Sequence, residues 1–332
     1  MINPNLTLVS CYFDTNRFKK GEKDFHDTKK YRSGILDLMQ IPLNIVFYLD
    51  DDFFMNELME ERKKYNLEDN IKFVKCNVED LPFWKYYDKI EKNREEYWPT
   101  RCERSPSVVN IITCSKFHFV TQTIETNPFN TDFFCWMDSK ATKHICEDFS
   151  IYKYYEAFRP ETFQENKFRI QILNVQDKKF LNYENIREYY SQYRWIVCAG
   201  LWGGCKNVIP KIATRFSELF VEHVSRGVGH GDEMFFLWIL DEFYDVIERS
   251  YGDYSQMINN FAYCNRNLDY VMRMIIQRQY QFGYWKELRD STNHMIHSLA
   301  VVLDKVYPKE QKYFEILKQC VIFHLTACSN LQ

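Results

Sequence analysis

"PLNIVFYLDDDFFMNELMEERKKYNLEDNIKFVKCNV", residues 42–78, places two short apolar runs on either side of one amphipathic stretch. "NIVFYL" is apolar without alternation, as in a strand buried on both faces. Residues 52–65 have a helical period, with Asp52 as the expected N-cap. "NIKFVKCNV" (70–78) is the next strand. Upstream, "LTLVSCYFD" (6–14) alternates and is β-branched, so it reads as a strand ending on Asp14. "KKYRSGILDLMQI" (29–41) has Tyr31, Ile35 and Leu38 at helical spacing. Strand, helix, strand, helix, strand in that order predicts an α/β unit with a mostly parallel sheet flanked by helices.

Outward from this unit, residues 79–104 are polar and aromatic-rich, suiting loop and short helix. Residues 105–127 read as one long helix with Ser105 as N-cap and Pro106 in its first turn. "DFFCWMD" (132–138), "FRIQILNV" (168–175) and "YRWIVCAG" (193–200) read as strands. Residues 207–227 are amphipathic through Ile212, Phe216, Leu219 and Val224. Residues 231–247 form a strongly apolar helix, and from about 261 to 328 the pattern is helical throughout. No internal repeat, low-complexity tract or flexible linker divides the chain. The expected organisation is one α/β domain over 1–260 with a helical C-terminal extension over 261–332 packed on it.

The chain has 332 residues, 45% of them hydrophobic, enough for a sizeable core. A net charge of -3 with dispersed Lys and Arg argues against general nucleic-acid binding. The longest apolar runs, "MFFLWIL" and "NIVFYL", fall well short of a membrane span. The start reads as a first strand, not a signal peptide. Eleven cysteines with no C-x-x-C pair argue against a zinc ribbon or a secreted disulfide framework. Reduced, mostly buried thiols in a cytoplasmic setting are expected.

In open α/β sheets, ligands bind beyond the carboxyl ends of the strands. The acids to weigh are therefore Asp14, Asp50 to Asp52 and Asp138. Asp50 and Asp52 form an acid-x-acid pair, a spacing that can share one divalent cation. Alternatively Asp52 only caps the next helix. Asp138 ends the apolar strand "FFCWM", with Lys140 and Lys143 just beyond, suited to phosphate charge. Its plain alternative is a strand-end turn. "CAGLWGGCKN" (198–207) concentrates Gly200, Gly203 and Gly204, which implies either close backbone approach to a ligand or a tight turn. "RGVGHGDEMFF" (226–236) brings His230, Asp232 and Glu233 to a helix start. There Asp232 can cap and Glu233 can meet the helix dipole, or one of them can serve as a general base. No G-x-S-x-G or H-E-x-x-H is present, and His294 and His297 suit a solvated helix face.

Taken in series, "LTLVSCYFDTNRF", "YRSGILDLMQIPLNIVFYLDDD", "NPFNTDFFCWMDSKATKH", "AGLWGGCKNVI" and "GHGDEMFF" resemble the HtrL/YibB (WlaTC-type) family over about residues 5–255. The matching positions are Asp14 and Arg17 after the first strand, then Asn127, Pro128 and Phe129 leading to Trp136 and Asp138. They continue with Ala199, Gly200, Gly203 and Gly204, and with the pair Asp232 and Glu233. Ser139-Lys140 departs from the small Ala-Gly that usually follows Trp-x-Asp. The resemblance implies a GT-A-like (Rossmann-like) glycosyltransferase taking a nucleoside-diphosphate sugar and a glycan or other hydroxyl acceptor. It implies Mn²⁺ or Mg²⁺ held by Asp138 against the diphosphate. Asp14, Arg17, Lys116, Asp138, Lys140, Gly203 and Gly204 would bind the nucleotide sugar, and Asp232 or Glu233 would act as base. Rival readings are a nucleotidyltransferase, a sugar-nucleotide hydrolase, or a non-catalytic glycan- or protein-binding relative. The tail helices are expected to serve as an oligomer interface or an acceptor-side element.

Overall fold

A computed structural model describes residues 3–18, 28–96, 106–142, 151–229, 231–262, 268–305 and 311–332. Its centre is a seven-stranded sheet: β1 (Leu6–Tyr12), β2 (Asn44–Leu49), β3 (Ile71–Lys75), β4 (Phe133–Met137), β5 (Phe168–Ile172), β6 (Val197–Cys205) and β7 (Ile247–Tyr251). Their spatial order is β3-β2-β1-β4-β6-β5-β7. All pairings are parallel except those of β6, which runs against both β4 and β5. The fold is therefore α/β with a mostly parallel sheet and a helical C-terminal region, as the sequence predicts.

Side chains alternate between two cores. Val9, Val46, Tyr48, Trp136 and Trp202 pack on one face, whereas Leu8, Ile45, Phe47, Cys135 and Leu201 pack on the other. Both faces are covered, which explains the uninterrupted apolar runs of β2 and β4. Trp136 and Trp202 lie directly opposite across β4 and β6. Phe117 stacks on Trp202 at 4.4 Å between ring centroids.

Four expectations need correction. The cap of α2 (Asp52–Lys63) is Asp51, which accepts from the Phe54 amide at 3.0 Å; Asp52 sits inside the first turn and pairs with Lys75. The long helix is broken at Ser115, whose hydroxyl donates to the Ile111 carbonyl at 2.7 Å. Two helices result, Ser107–Cys114 and Lys116–Thr126, and Ser105 lies outside the described residues. The strand expected at 193–200 lies at 197–205 and contains the glycine cluster. A Cβ on Gly203 would lie 2.8 Å from the Phe134 carbonyl oxygen, and one on Gly204 would lie 2.6 Å from that of Lys167. These glycines allow β4 and β5 to close on β6 and form no turn. Finally, the apolar helix stops at Glu242 and is followed by β7.

Eight cysteines among the described residues are free thiols, six of them buried. No described helix is long and apolar enough to cross a membrane.

One buried cation fastens the first half of the sheet. Arg62, fully buried near the end of α2, directs all five N–H donors at backbone carbonyls. Its Nε meets Leu67 at 3.1 Å, Nη1 meets Met39 and Ile41, and Nη2 meets Leu43 and Asn70. Burial pulls its pKa down to about 10. Arg62→Met would orphan these carbonyls and should cost at least about 3 kcal/mol of stability by guanidinium titration. Arg62→Lys, with three donors, should recover only part. A Met variant within about 1 kcal/mol of the parent would contradict this role.

Candidate functional site

The break at Ser115 makes Lys116 the first residue of its helix, with its side chain turned inward beneath the end of β4 and the start of β6. Lys116 is only 5% exposed. Its ammonium lies 2.9 Å from Asp138 Oδ1 and 2.8 Å from Asp232 Oδ2, and donates to the Ala199 carbonyl at 3.0 Å. Two carboxylates and one carbonyl therefore surround the one ammonium. Burial alone would lower its pKa, but Asp138 and Asp232 outweigh this and hold it well above the usual lysine value.

Asp138 follows β4, two residues beyond Trp136 and on the same side of the strand. The Trp136 indole Nε1 donates to its Oδ1 at 2.7 Å. The Asp138 amide bonds the Gly200 carbonyl at 2.8 Å. A Cβ on Gly200 would approach Asp138 Oδ2 to 3.2 Å, so here a glycine does favour close approach to the carboxylate.

Asp232 and Glu233 open a short 3-10 turn, Asp232–Phe235, that leads into the helix Phe236–Glu242. Asp232 makes no capping bond, contrary to expectation; Gly231 holds the cap position and the Asp232 carboxylate goes to Lys116. Burial raises the Asp232 pKa, Lys116 opposes the rise, and Asp138 adds to it. For Glu233, burial and then the Asp232 charge push the pKa up to about 8, with Lys116 and Tyr193 pulling back. The Tyr193 hydroxyl donates to Glu233 Oε2 in a short hydrogen bond. Burial, reinforced by Glu233, keeps that phenol protonated.

A cleft of about 140 Å³ opens above Asp138, between the chain leaving β1 and the chain leaving β4. Tyr12, Phe13, Tyr31, Trp136, Asp138 and Lys140 supply much of its wall. The Lys140 ammonium bonds the Tyr31 hydroxyl at 2.8 Å and lies 4.1 Å from that ring's centroid. Asp14 lines the cleft and is exposed, its carboxylate accepting from the Asn16 amide at 3.0 Å.

The other expected residues lie elsewhere. Arg17 does not line the cleft; it meets Glu79 at 2.9 Å and Asp50 at 3.4 Å. Gly203 and Gly204 face Cys135 and Phe134 within the sheet, below the strand end, so they offer no backbone to a ligand. Asp50, Asp51 and Asp52 diverge toward Arg17, Arg32 and Lys75 and form no shared cation site. Lys116 does line the cleft, where its ammonium is paired with two carboxylates. His294 is half-buried edge-on to Tyr251 at 5.3 Å, whereas His297 is exposed. Lys143 and His230 lie outside the described residues.

Tyr193 was not apparent from local sequence. Its signal is Gly231, where a Cβ would sit 2.9 Å from the Tyr193 hydroxyl oxygen. A glycine there lets the phenol reach Glu233.

Among the described residues no group of three or more His, Cys, Asp or Glu side chains is gathered as a metal centre. Asp138 still fits a cation that arrives with a ligand. Its Oδ1 is taken by Trp136 and Lys116, while Oδ2 accepts no hydrogen bond from a described residue. One carboxylate oxygen with waters and phosphate oxygens is a usual setting for Mg²⁺ or Mn²⁺.

These features define an α/β protein with a charged, aromatic-walled cleft at the carboxyl edge of its sheet. A family model described as "Bacterial protein of unknown function (HtrL_YibB)" matches residues 4–263, and the chain belongs to that family. No curated protein matches the chain.

The Glu233 shift has a consequence for stability. Its folded pKa lies above the ordinary carboxyl value near 4.5. Its contribution to stability is therefore full below that value and is lost as pH rises through about 8. Glu233→Gln keeps the neutral form at every pH. Its melting temperature should gain on the parent's by about 2 °C or more between pH 5 and 8, measured by calorimetry. A difference independent of pH would contradict the raised pKa.

Proposed function

We propose that this protein is a GT-A-like glycosyltransferase that moves a sugar from a nucleoside-diphosphate sugar to an acceptor hydroxyl. The observation that carries the reading is where the cleft lies. β1 has β2 on one side and β4 on the other, so the direction of strand addition reverses between β1 and β4. In doubly wound sheets this reversal opens the crevice that takes nucleotides. Asp138 and the β1 exit residues Tyr12 to Asn16 line it here. Tyr12, Phe13 and Tyr31 offer aromatic surface for a base, and Lys140 brings positive charge to the mouth.

In this scheme Asp138 orients the donor at the strand end and would hold a divalent cation that accompanies it. Such a cation, when bound, offsets negative charge on the leaving diphosphate. Lys116 holds Asp138 and Asp232 in register. Glu233 is the general base: its pKa near 8 lies close to neutral working pH. The acceptor oxygen forms the new bond to the anomeric carbon as the carbon–oxygen bond to the diphosphate breaks. The hydroxyl proton passes to the Glu233 carboxylate, and the nucleoside diphosphate leaves with the bonding pair.

A thermal-shift series with UDP, GDP, CMP and TDP, each with and without Mn²⁺, tests this reading. A nucleotide at 100 times its Kd should add about 2.7 kcal/mol of stability. One nucleotide class is expected to respond, with the response lost in Asp138→Asn. No response to any nucleotide, or an undiminished one in Asp138→Asn, would contradict the assignment.

A further inference from the structure

Trp195 is out of place as a core residue. It stands two residues before β6, and 58% of its surface is exposed. Its flanks are anchored. Ile196 is buried, and Arg194 bonds the Tyr189 carbonyl at 2.8 Å and Gln176 at 3.0 Å. The indole is thus presented from a fixed backbone. It packs against Tyr193 with ring centroids 4.9 Å apart at 50°, and the Tyr193 hydroxyl is the group that holds Glu233. A large aromatic face therefore stands one ring away from the carboxylate assigned as base.

Leaving an indole in water forgoes about 25 cal/mol for each Å² of apolar surface that could be buried. Among the described residues, the other large exposed apolar ones are Phe53, Tyr65, Tyr280, Phe282, Phe314, Val321, Ile322, Leu325 and Leu331. They lie on α2 and its end and on the C-terminal helices, so Trp195 stands outside the exposed stretch of the last helix. A single ring beside a phenol and a carboxylate suits a small ligand with one apolar face and several hydroxyls. A pyranose has that form. Its axial C–H bonds present positive edges to the π face, and its hydroxyls remain free for Glu233.

We infer that Trp195 is the platform of the acceptor subsite, and that the acceptor is a carbohydrate whose C–H face rests on the indole while a hydroxyl reaches Glu233. The link to transfer rests on the function proposed above, whereas carbohydrate binding at Trp195 stands or falls separately. Saturation-transfer NMR would use methyl β-D-galactopyranoside, methyl β-D-glucopyranoside and methyl N-acetyl-β-D-glucosaminide as probes. At least one should show transfer concentrated on the protons of one ring face. The signal should fall at least fivefold in Trp195→Ala and be partly kept in Trp195→Phe, with melting temperatures matching the parent. Absence of transfer to all three probes would overturn the inference, as would an equal signal in a folded Trp195→Ala protein. Nucleotide shifts on the same samples separate the two claims. Glycoside binding without any nucleotide response upholds the platform and removes the transferase reading. A nucleotide response that Trp195→Ala preserves, with no glycoside signal, does the reverse.

Discussion

The Lys116 ammonium is the point on which the site depends. It is a buried cation held between two carboxylates from segments 94 residues apart, Asp138 after β4 and Asp232 at a helix start. A charge is costly to bury alone, and so are two carboxylates of like sign. Together they are tolerable, because each offsets the desolvation of the others. The ammonium also donates to the Ala199 carbonyl in β6. Four elements therefore meet at one nitrogen: the end of β4, the start of β6, the Lys116 helix and the Asp232 turn. The position of Glu233 follows from that convergence, since its backbone neighbour is pinned.

The same geometry divides the edge of the sheet into two sides. On one side, the exits of β1 and β4 spread apart where strand addition reverses, and the cleft takes its aromatic wall from Tyr12, Tyr31 and Trp136. On the other, β6 enters with Trp195 and Tyr193 just ahead of it, next to Glu233. Because β6 is antiparallel, its beginning lies at the edge where β4 ends. The cleft and the Glu233 side thus meet at Lys116, and the reversed strand is what brings the second side to the first.

Much of the sheet was legible because its central strands are buried on both faces and need uninterrupted apolar residues. β2 and β4 are of this kind, β1 was legible by its alternation and β-branching, and Asp138 was legible as the acid at the end of β4. Several misreadings share a cause, since they depend on a neighbour distant in sequence. Glycine marks turns or close approach to a ligand, the two readings open for "GLWGGC"; only the close approach of β4 and β5 shows that Gly203 and Gly204 belong in a strand. β7, "IERSY", pairs only with β5 at the sheet edge and is half polar, too weak a pattern after the apolar helix before it. Lys116 could be placed by its helix, but its partners could not, because Asp232 comes from another part of the chain. Asp51 displaced Asp52 as cap by one position, a choice decided by local backbone geometry and not by residue type.

The most direct measurement of the central claim is a double-mutant cycle on folding stability using Lys116→Met, Asp232→Asn and the double variant. If the ammonium and carboxylate offset each other's burial, each single change should cost on the order of 3 kcal/mol, and the double should cost little more than either alone. Costs that add to within about 0.5 kcal/mol would show the two residues to be independent and would contradict a site built around the Lys116 charge.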